Sequence, residues 1–321
     1  MIDTLGRRID YLRISITDRC NMRCRYCMPD GISAVGHGDV LRYEEIVEIC
    51  RAALRVGITK FKVTGGEPFV RKGAVGFIRE LRRLPGVESV TVTTNGWLLP
   101  QVLPELRRIG IDGVNISLDS LDREQYQAIA GVDALPEVLQ AVRQCAASGL
   151  PTKINAVLLA DTKEQIAPLA RFAEELPVDV RFIELMPIGC GAYQQGYSGD
   201  EALAVLRGVY PDLAPLSVRR GNGPAAYYAS RSLKGYIGMI AANSHVFCRQ
   251  CNRLRLTSTG FLKPCLCYDD GVDLRAAVRS GQGESLLAQA IEQAILRKPA
   301  RHCFDEAKAV TERKAMNEIG G

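Results

Sequence analysis

Six short stretches of this chain alternate polar and apolar residues, and helix-like segments separate them, which leaves few possible folds. The stretches are YLRISIT (11–17), TKFKVT (59–64), SVTVTT (89–94), GVNISL (113–118), TKINAVLL (152–159) and VRFIEL (180–185). Between them, RYEEIVEICRAALRVG (42–57) puts Ile46, Ile49, Ala53 and Val56 at helical spacing and stops at Gly57, and LPEVLQAVRQCAASG (135–149) ends the same way. Repeated strand–helix units joined by right-handed crossovers give a parallel sheet. Parallel strands covered on both faces are normally near-continuous apolar runs, yet these alternate. Their second face carries Arg13, Ser15, Thr17, Lys62, Thr64, Thr91, Thr93, Asn115, Ser117, Lys153, Asn155 and Arg181. If helices cover the apolar face, the polar one lines a lumen, where unpaired Lys and Arg are costly unless water or an anionic ligand fills it. The expected architecture is therefore α/β, a partial TIM-like barrel of six strand–helix units with a polar interior. An antiparallel sheet with one solvated face would also alternate, but the long helical connections count against it.

After about residue 215 the pattern weakens. RRGNGPAAYYAS (219–230) is rich in turn residues, KGYIGMIAAN (234–243) reads as one arm of a hairpin, and ESLLAQAIEQAILRK (284–298) is helical. The expected division is a barrel over 1–215 and a C-terminal region over 216–321 that closes it.

The chain of 321 residues is long enough for a large core, 47% of it is hydrophobic, and no apolar run reaches the ~20 residues that span a bilayer. The opening MIDTLGRRIDYLRISITDRC has no apolar export-signal core, so a cytoplasmic location is expected. A net charge of +5 is too mild for a nucleic-acid-binding signature and equally suits an anionic small molecule. In a reducing compartment clustered thiols are metal ligands more often than crosslinks. Seven of the 11 cysteines fall in two groups; of the others, Cys50 and Cys145 sit in helical segments as small buried hydrophobes, and Cys190 and Cys303 are scattered.

The first group, RCNMRCRYCMP (19–29), holds Cys20, Cys24 and Cys27. A buried thiol stripe on a helix would show this spacing, but Asn21, Arg23 and Arg25 intervene, a strand precedes the segment and Pro29 would soon end a helix. A loop wrapped around a metal fits better. Thiolates suit zinc, copper(I) or iron–sulfur clusters, and a four-iron cubane normally takes four cysteines, so three would leave one iron open.

This CxxxCxxC loop after the first strand of an α/β barrel resembles the radical S-adenosylmethionine (SAM) superfamily. The resemblance implies that the open iron binds the amino and carboxylate groups of SAM and that the cluster's electron releases a 5′-deoxyadenosyl radical. Tyr26 would approach the adenine, and TGGEP (64–68) stands where the superfamily's methionine-binding motif does.

The second group, FCRQCNRLRLTSTGFLKPCLC (247–267), contains Cys248, Cys251, Cys265 and Cys267. A zinc ribbon is the natural rival for such a set, and Cys267 keeps it open. The first three, with Arg253 and Arg255 between them, are similar to the auxiliary-cluster motif of the GTP 3′,8-cyclase family of molybdenum cofactor biosynthesis. That resemblance extends through TTNG (93–96), NISLD (115–119), KINAV (153–157) and RFIELMP (181–187) to the terminal IGG (319–321). It implies a lyase with two [4Fe–4S] clusters, on Cys20, Cys24 and Cys27 and on Cys248, Cys251 and Cys265. SAM contacts would be Tyr26, Gly66, Ser117 and Met186. GTP contacts would be Arg13, Lys62, Thr93, Lys153, Arg253 and Arg255, with Arg13, Arg253 and Arg255 counted as catalytic. Lys62 stands where the family often has Arg, keeping the charge without the planar fork. The implied reaction removes the ribose 3′ hydrogen of GTP, joins C3′ to C8 of guanine and yields (8S)-3′,8-cyclo-7,8-dihydroguanosine 5′-triphosphate.

Implied partners are an external electron donor of flavodoxin type, the cyclic pyranopterin monophosphate synthase of the next step and a second copy in a homodimer; neither nucleic acid nor a membrane is expected. The Gly320–Gly321 tail either enters the site or frays, and sequence leaves both readings open. A radical SAM peptide-modifying enzyme with an auxiliary cluster, and more remotely a zinc-ribbon nucleic-acid-binding protein, remain as alternatives.

Overall fold

A computed structural model describes residues 1–31, 35–36, 38–217, 220–281, 283–306 and 309–320. Arg219 and Gly321, which end two segments singled out above, lie outside the described residues.

All six expected strands form, slightly shorter than their sequence patterns: β1 (Tyr11–Ser15), β2 (Lys60–Thr64), β3 (Ser89–Thr94), β4 (Gly113–Ser117), β5 (Thr152–Leu158) and β6 (Asp179–Glu184). The helices between them are α1 (Tyr43–Arg55), α2 (Ala74–Arg83), α3 (Leu99–Ile109), α4 (Arg123–Ala130), α5 (Leu135–Ala147) and α6 (Ile166–Glu175). Local chemistry sets their ends. At the start of α1 the Glu45 carboxylate accepts the Arg42 backbone N–H at 2.6 Å, and beyond its end Gly57 takes a positive φ of 85° that a residue with a Cβ adopts only with strain.

β1 to β6 pair in parallel in sequence order. Every second residue, among them Leu12, Ile14, Phe61, Val63, Val90, Val92, Val114, Ile116, Ile154, Val180 and Phe182, is buried in the core that the helices cover. The intervening residues line up across the sheet in polar rows: Arg13 is level with Lys62, Lys62 with Thr91, Thr93 with Asn115, Asn115 with Lys153, and Asn155 with Arg181. The period-2 pattern thus becomes a cationic inner wall.

The parallel sheet is wider than six strands. After α7 (Gly199–Val209) come β7 (Ala214–Pro215), β8 (Ala226–Ala229), β9 (Ile237–Ile240), β10 (Arg253–Leu256), β11 (Phe261–Lys263) and β12 (Val272–Asp273), followed by α8 (Leu274–Arg279) and α9 (Glu284–Leu296). β9 adds in parallel to β6 and β10 in parallel to β1, so the C-terminal region extends both edges of the sheet. As expected, 234–243 supplies a hairpin arm: β9 pairs antiparallel with β8. Gly238 lies level with Arg181, and a Cβ there would come within 2.6 Å of the Arg181 side chain. Only glycine gives that guanidinium its place in the lumen. β10 sets Arg253 level with Tyr11 and Arg255 level with Arg13.

Beyond α9, which packs on α1, the chain runs back along the mouth of the barrel. It is pinned by an ion pair between Lys263 and Glu312, both nearly fully buried, and by a small apolar cluster of Ile188, Cys267, Cys303, Val310 and Ile319.

Candidate active site

The loop after β1 carries the first cysteine trio, and its shape depends on TGGEP. Gly66 N–H donates to the Thr17 carbonyl at 2.7 Å and Glu67 N–H to the Arg19 carbonyl at 2.8 Å. A Cβ on Gly66 would lie 2.4 Å from the Arg19 carbonyl oxygen, so the two loops can touch only because this residue is glycine. Glu67 is fully buried; its carboxylate accepts from the Phe69 and Asn95 amides and from the Thr94 hydroxyl. Burial outweighs those hydrogen bonds and pushes its carboxyl up to about 7.

Asn95 extends the same network. Its side-chain amide donates to Asn21 at 2.7 Å and lies 3.7 Å from the Cys20 sulfur, which the Met22 amide also approaches at 3.4 Å. Tyr26 donates its hydroxyl to Asp119 at 2.8 Å, and the other Asp119 oxygen takes the Val157 amide. Burial raises the Asp119 carboxyl to about 6.

Cys20, Cys24 and Cys27 line one cavity of about 220 Å³ together with Tyr26, Gly66, Ser117 and Met186. A second, of about 560 Å³, is lined by Arg13, Lys62, Thr93, Lys153, Arg253 and Arg255. The two adjoin, sharing Arg13, Thr93, Asn155, Ile183, Met186 and Arg255. A third, smaller cavity holds Cys248, Cys251 and Cys265 and shares Met186, Arg253 and Arg255 with the second. The lumen thus connects both cysteine trios through the arginines of β10.

The large cavity is strongly cationic. Among its described lining residues are Arg13, Lys62, Lys153, Arg181, Arg220, Arg253 and Arg255, against the carboxylates Asp112 and Asp179. Asp179 is shared by Lys153 and Arg220, each 3.3 Å away. Lys153 also donates to the Tyr227 hydroxyl at 2.7 Å, and Arg181 to Asn155 at 2.9 Å. Burial, with Arg181, Arg13 and Lys153 adding like charge, holds the Lys62 ammonium well below its usual range. Burial and then the neighbouring Arg13 and Arg253 do the same to Arg255, and burial brings Arg13 down to about 10. A polyanion entering this space would oppose those shifts, because it adds negative charge where cations outnumber carboxylates.

The cysteines fit an iron–sulfur role by their chemistry: each trio is all-thiol and borders a cavity. Burial opposes the thiolate at Cys251 too, yet Arg253 and Lys298 prevail and lower it to about 6, whereas burial raises Cys27 to about 12 and Cys24 well above the usual thiol range. A positive charge bound among the three would favour their thiolates. Among the described residues no three His, Cys, Asp or Glu side chains converge on one metal-ion position.

Several residues of the site escaped the sequence reading. Arg181 belongs to the polar face that the sequence shows but is not among the expected contacts; its alternating position in VRFIEL is the signal that marks it. Arg220 and Asp179 are brought in by tertiary structure, while Glu67, Asn95 and Asp119 lie inside TGGEP, TTNG and NISLD but take their partners from it. Arg7, buried and paired with Asp3, donates to the carbonyls of Cys248 and Lys298, and so anchors the second cysteine loop to the N-terminal segment. The tail does enter the lumen: Met316 and Asn317 line the first cavity, and Arg255 donates to the Gly320 carbonyl at 2.6 Å. Cys267 lies outside the third cavity and touches Cys303 instead. Cys50 and Cys145 are buried in the core, as expected.

Residues 14–173 match the Radical SAM superfamily and 178–304 match Molybdenum Cofactor Synthesis C. The chain is 43% identical over 326 residues to the GTP 3′,8-cyclase of Moorella thermoacetica and 40% identical over 323 residues to that of Clostridium perfringens, in each case spanning both chains completely. SuiB of Streptococcus suis, crystallised with S-adenosylmethionine, shares the fold with a TM-score of 0.67 at 15% identity, over 97% of this chain and 78% of that one. Full-length identity at this level, resting on the two-trio lumen just described, means that the chain belongs to the GTP 3′,8-cyclase family of the radical SAM superfamily.

Proposed function

We propose that this chain converts GTP to (8S)-3′,8-cyclo-7,8-dihydroguanosine 5′-triphosphate, the first step of molybdenum cofactor biosynthesis, with SAM and two [4Fe–4S] clusters as cofactors. The observation that carries this reading is the junction of the cavities: Arg13, Thr93, Met186 and Arg255 border both the space beside the first trio and the cationic space beyond it.

Bound at the first trio, the cluster and SAM supply a carbon-centred oxidant able to remove one ribose hydrogen atom. The chain's own residues do the rest. Tyr26, Gly66, Ser117 and Met186 hold SAM, with the Tyr26 ring fixed by Asp119. A triphosphate brings about four negative charges, for which Arg forks give bidentate contacts and Lys gives point charges. Lys62, Lys153 and Arg181 line the part of the lumen farther from the first trio and receive those charges; Arg220 joins them through Asp179. Arg253 and Arg255, beside the second trio, hold the guanine end, and Arg13 and Thr93 sit at the junction where the ribose meets the reactive group. Enclosure by the barrel excludes water and holds one ribose C–H in reach, which is the condition for a selective hydrogen transfer.

Residues 1–215 carry the first trio and the strand residues that meet SAM and the triphosphate, and 216–321 close the barrel with the second trio, Arg253 and Arg255, although β9 and β10 belong to the common sheet. Among the described residues no helix is long and apolar enough to cross a membrane. A cytoplasmic location, a flavodoxin-like electron donor, hand-over to cyclic pyranopterin monophosphate synthase and a homodimer complete the proposal.

The test is replacement of Arg253 or Arg255 by Ala in anaerobically prepared enzyme. SAM cleavage should persist while GTP cyclisation is lost; equal loss of both would assign the pair a structural role.

A further inference from the structure

Two cysteines that neither trio uses lie against each other. Cys267 Sγ and Cys303 Sγ are 2.9 Å apart, both residues are buried, and the Cys303 amide approaches the Cys267 sulfur at 3.3 Å. A disulfide bond measures about 2.05 Å, so a side-chain shift of under ~1 Å joins them. Ile188, Val310 and Ile319 complete the cluster, and Cys265 and Tyr268 pack against it.

The position of the pair gives the contact a consequence. Cys267 lies on the loop after β11, two residues beyond Cys265, and its carbonyl accepts the Glu312 amide at 3.2 Å. Cys303 stands at the root of the segment that ends at Gly320 in the lumen. That segment is otherwise held without covalent bonds: by the Lys263–Glu312 ion pair, by Asn317 donating to the Asp18 carbonyl at 3.0 Å, and by Arg255 on Gly320.

We propose that Cys267 and Cys303 form a thiol–disulfide exchange site, separate from both cysteine trios, that takes a low-molecular-weight disulfide and, once oxidised, fixes the root of the C-terminal segment. Cys303, the slightly more exposed of the two, attacks the small disulfide and releases one thiol. Cys267 then attacks the Cys303 sulfur, forms the internal bond and releases the second thiol. The protein loses two hydrogens and the small disulfide gains them. Neither trio takes part. The bond closes a covalent loop across α8 and α9, so the tail's root cannot lift from the strand loop that bears Cys265.

The test uses anaerobic holoenzyme equilibrated at graded ratios of reduced to oxidised glutathione, quenched in acid, alkylated under denaturing conditions and peptide-mapped, with iron counted in parallel. A peptide pair linked through Cys267 and Cys303 should appear as the ratio becomes oxidising, with iron content unchanged. In C303A and in C267A, chosen because alanine keeps the site small and apolar, the link should vanish and the remaining cysteine alkylate. Both cysteines alkylating freely at every ratio would overturn the proposal. So would loss of about four irons per chain in C267A, which would make Cys267 a cluster ligand. Trypsin cleavage after the exposed Arg313 tests the second half: the linked form should be cut roughly ten-fold more slowly, as expected for a suppressed local opening, and equal rates would remove the tail-fixing role.

Discussion

Arg255 and Gly320 are 65 positions apart in sequence, yet the guanidinium of the first donates to the carbonyl of the second at 2.6 Å inside the lumen. The same guanidinium lines the cavities of both cysteine trios. The C-terminal tail is therefore part of the active-site wall. Gly320 has a positive φ of 76°, and a Cβ there would sit 3.2 Å from the Ser15 Cβ. Gly320→Val should cut cyclisation by at least ~10-fold through backbone strain and crowding, with a change in melting temperature of only a few degrees. Parallel activity and melting measurements check this, and a large drop in both would mean that the tail mainly supports the fold.

The Lys263–Glu312 pair sets where that tail lies. With both side chains nearly fully buried, Lys263→Met leaves an uncompensated carboxylate and should destabilise the protein by about 3–5 kcal/mol. The double variant K263M/E312L removes both charges and should recover most of the loss. Denaturant melts of the two single variants and the double variant check the cycle.

For the cationic wall, Arg181→Ala and Lys153→Ala should each weaken GTP binding by roughly 10- to 100-fold, the worth of one charged hydrogen bond, while SAM affinity stays within about two-fold. Calorimetric titration with each ligand separates the two effects.

Glu67 gives a pH dependence whose direction follows from its shift. Its carboxyl is raised to about 7 in the fold against an ordinary 4.5, so the folded chain binds the proton more tightly than the unfolded one. Stability is therefore highest below about pH 4.5 as far as this group alone is concerned, and falls by roughly 3 kcal/mol as pH rises through about 7. Glu67→Gln should flatten that part of the profile. Melting temperatures of wild type and variant between pH 5 and pH 8, a range chosen to bracket the raised value, provide the check.

The strand pattern carried most of the fold. Arg13, Lys62, Thr93 and Lys153 could be placed on one wall from period-2 alternation alone, because a side chain's face in a strand is a local property. The sequence alone does not mark β9 and β10 as members of the parallel sheet. IGMI is apolar throughout and RLRL is short, so neither shows which strand it will join. Partners fixed by distant segments were likewise illegible: Asp179 between Lys153 and Arg220, Asp119 beneath Tyr26, and Arg7 behind Cys248 all depend on contacts between far-apart parts of the chain. Cys267 and Cys303 looked unrelated for the same reason. The tail is the clearest case, since IGG reads equally as a frayed end until Arg255 is found holding it.

One lumen is proposed to join a SAM-binding trio to a GTP-binding trio. Spectroscopy of the reduced, anaerobic holoenzyme titrated separately with SAM and with GTP tests it most directly. SAM should perturb only the cluster lost in Cys24→Ser and GTP only the cluster lost in Cys251→Ser, with about eight irons per chain in the unsubstituted enzyme. Stoichiometric zinc in place of iron, or a GTP response at neither cluster, would contradict it.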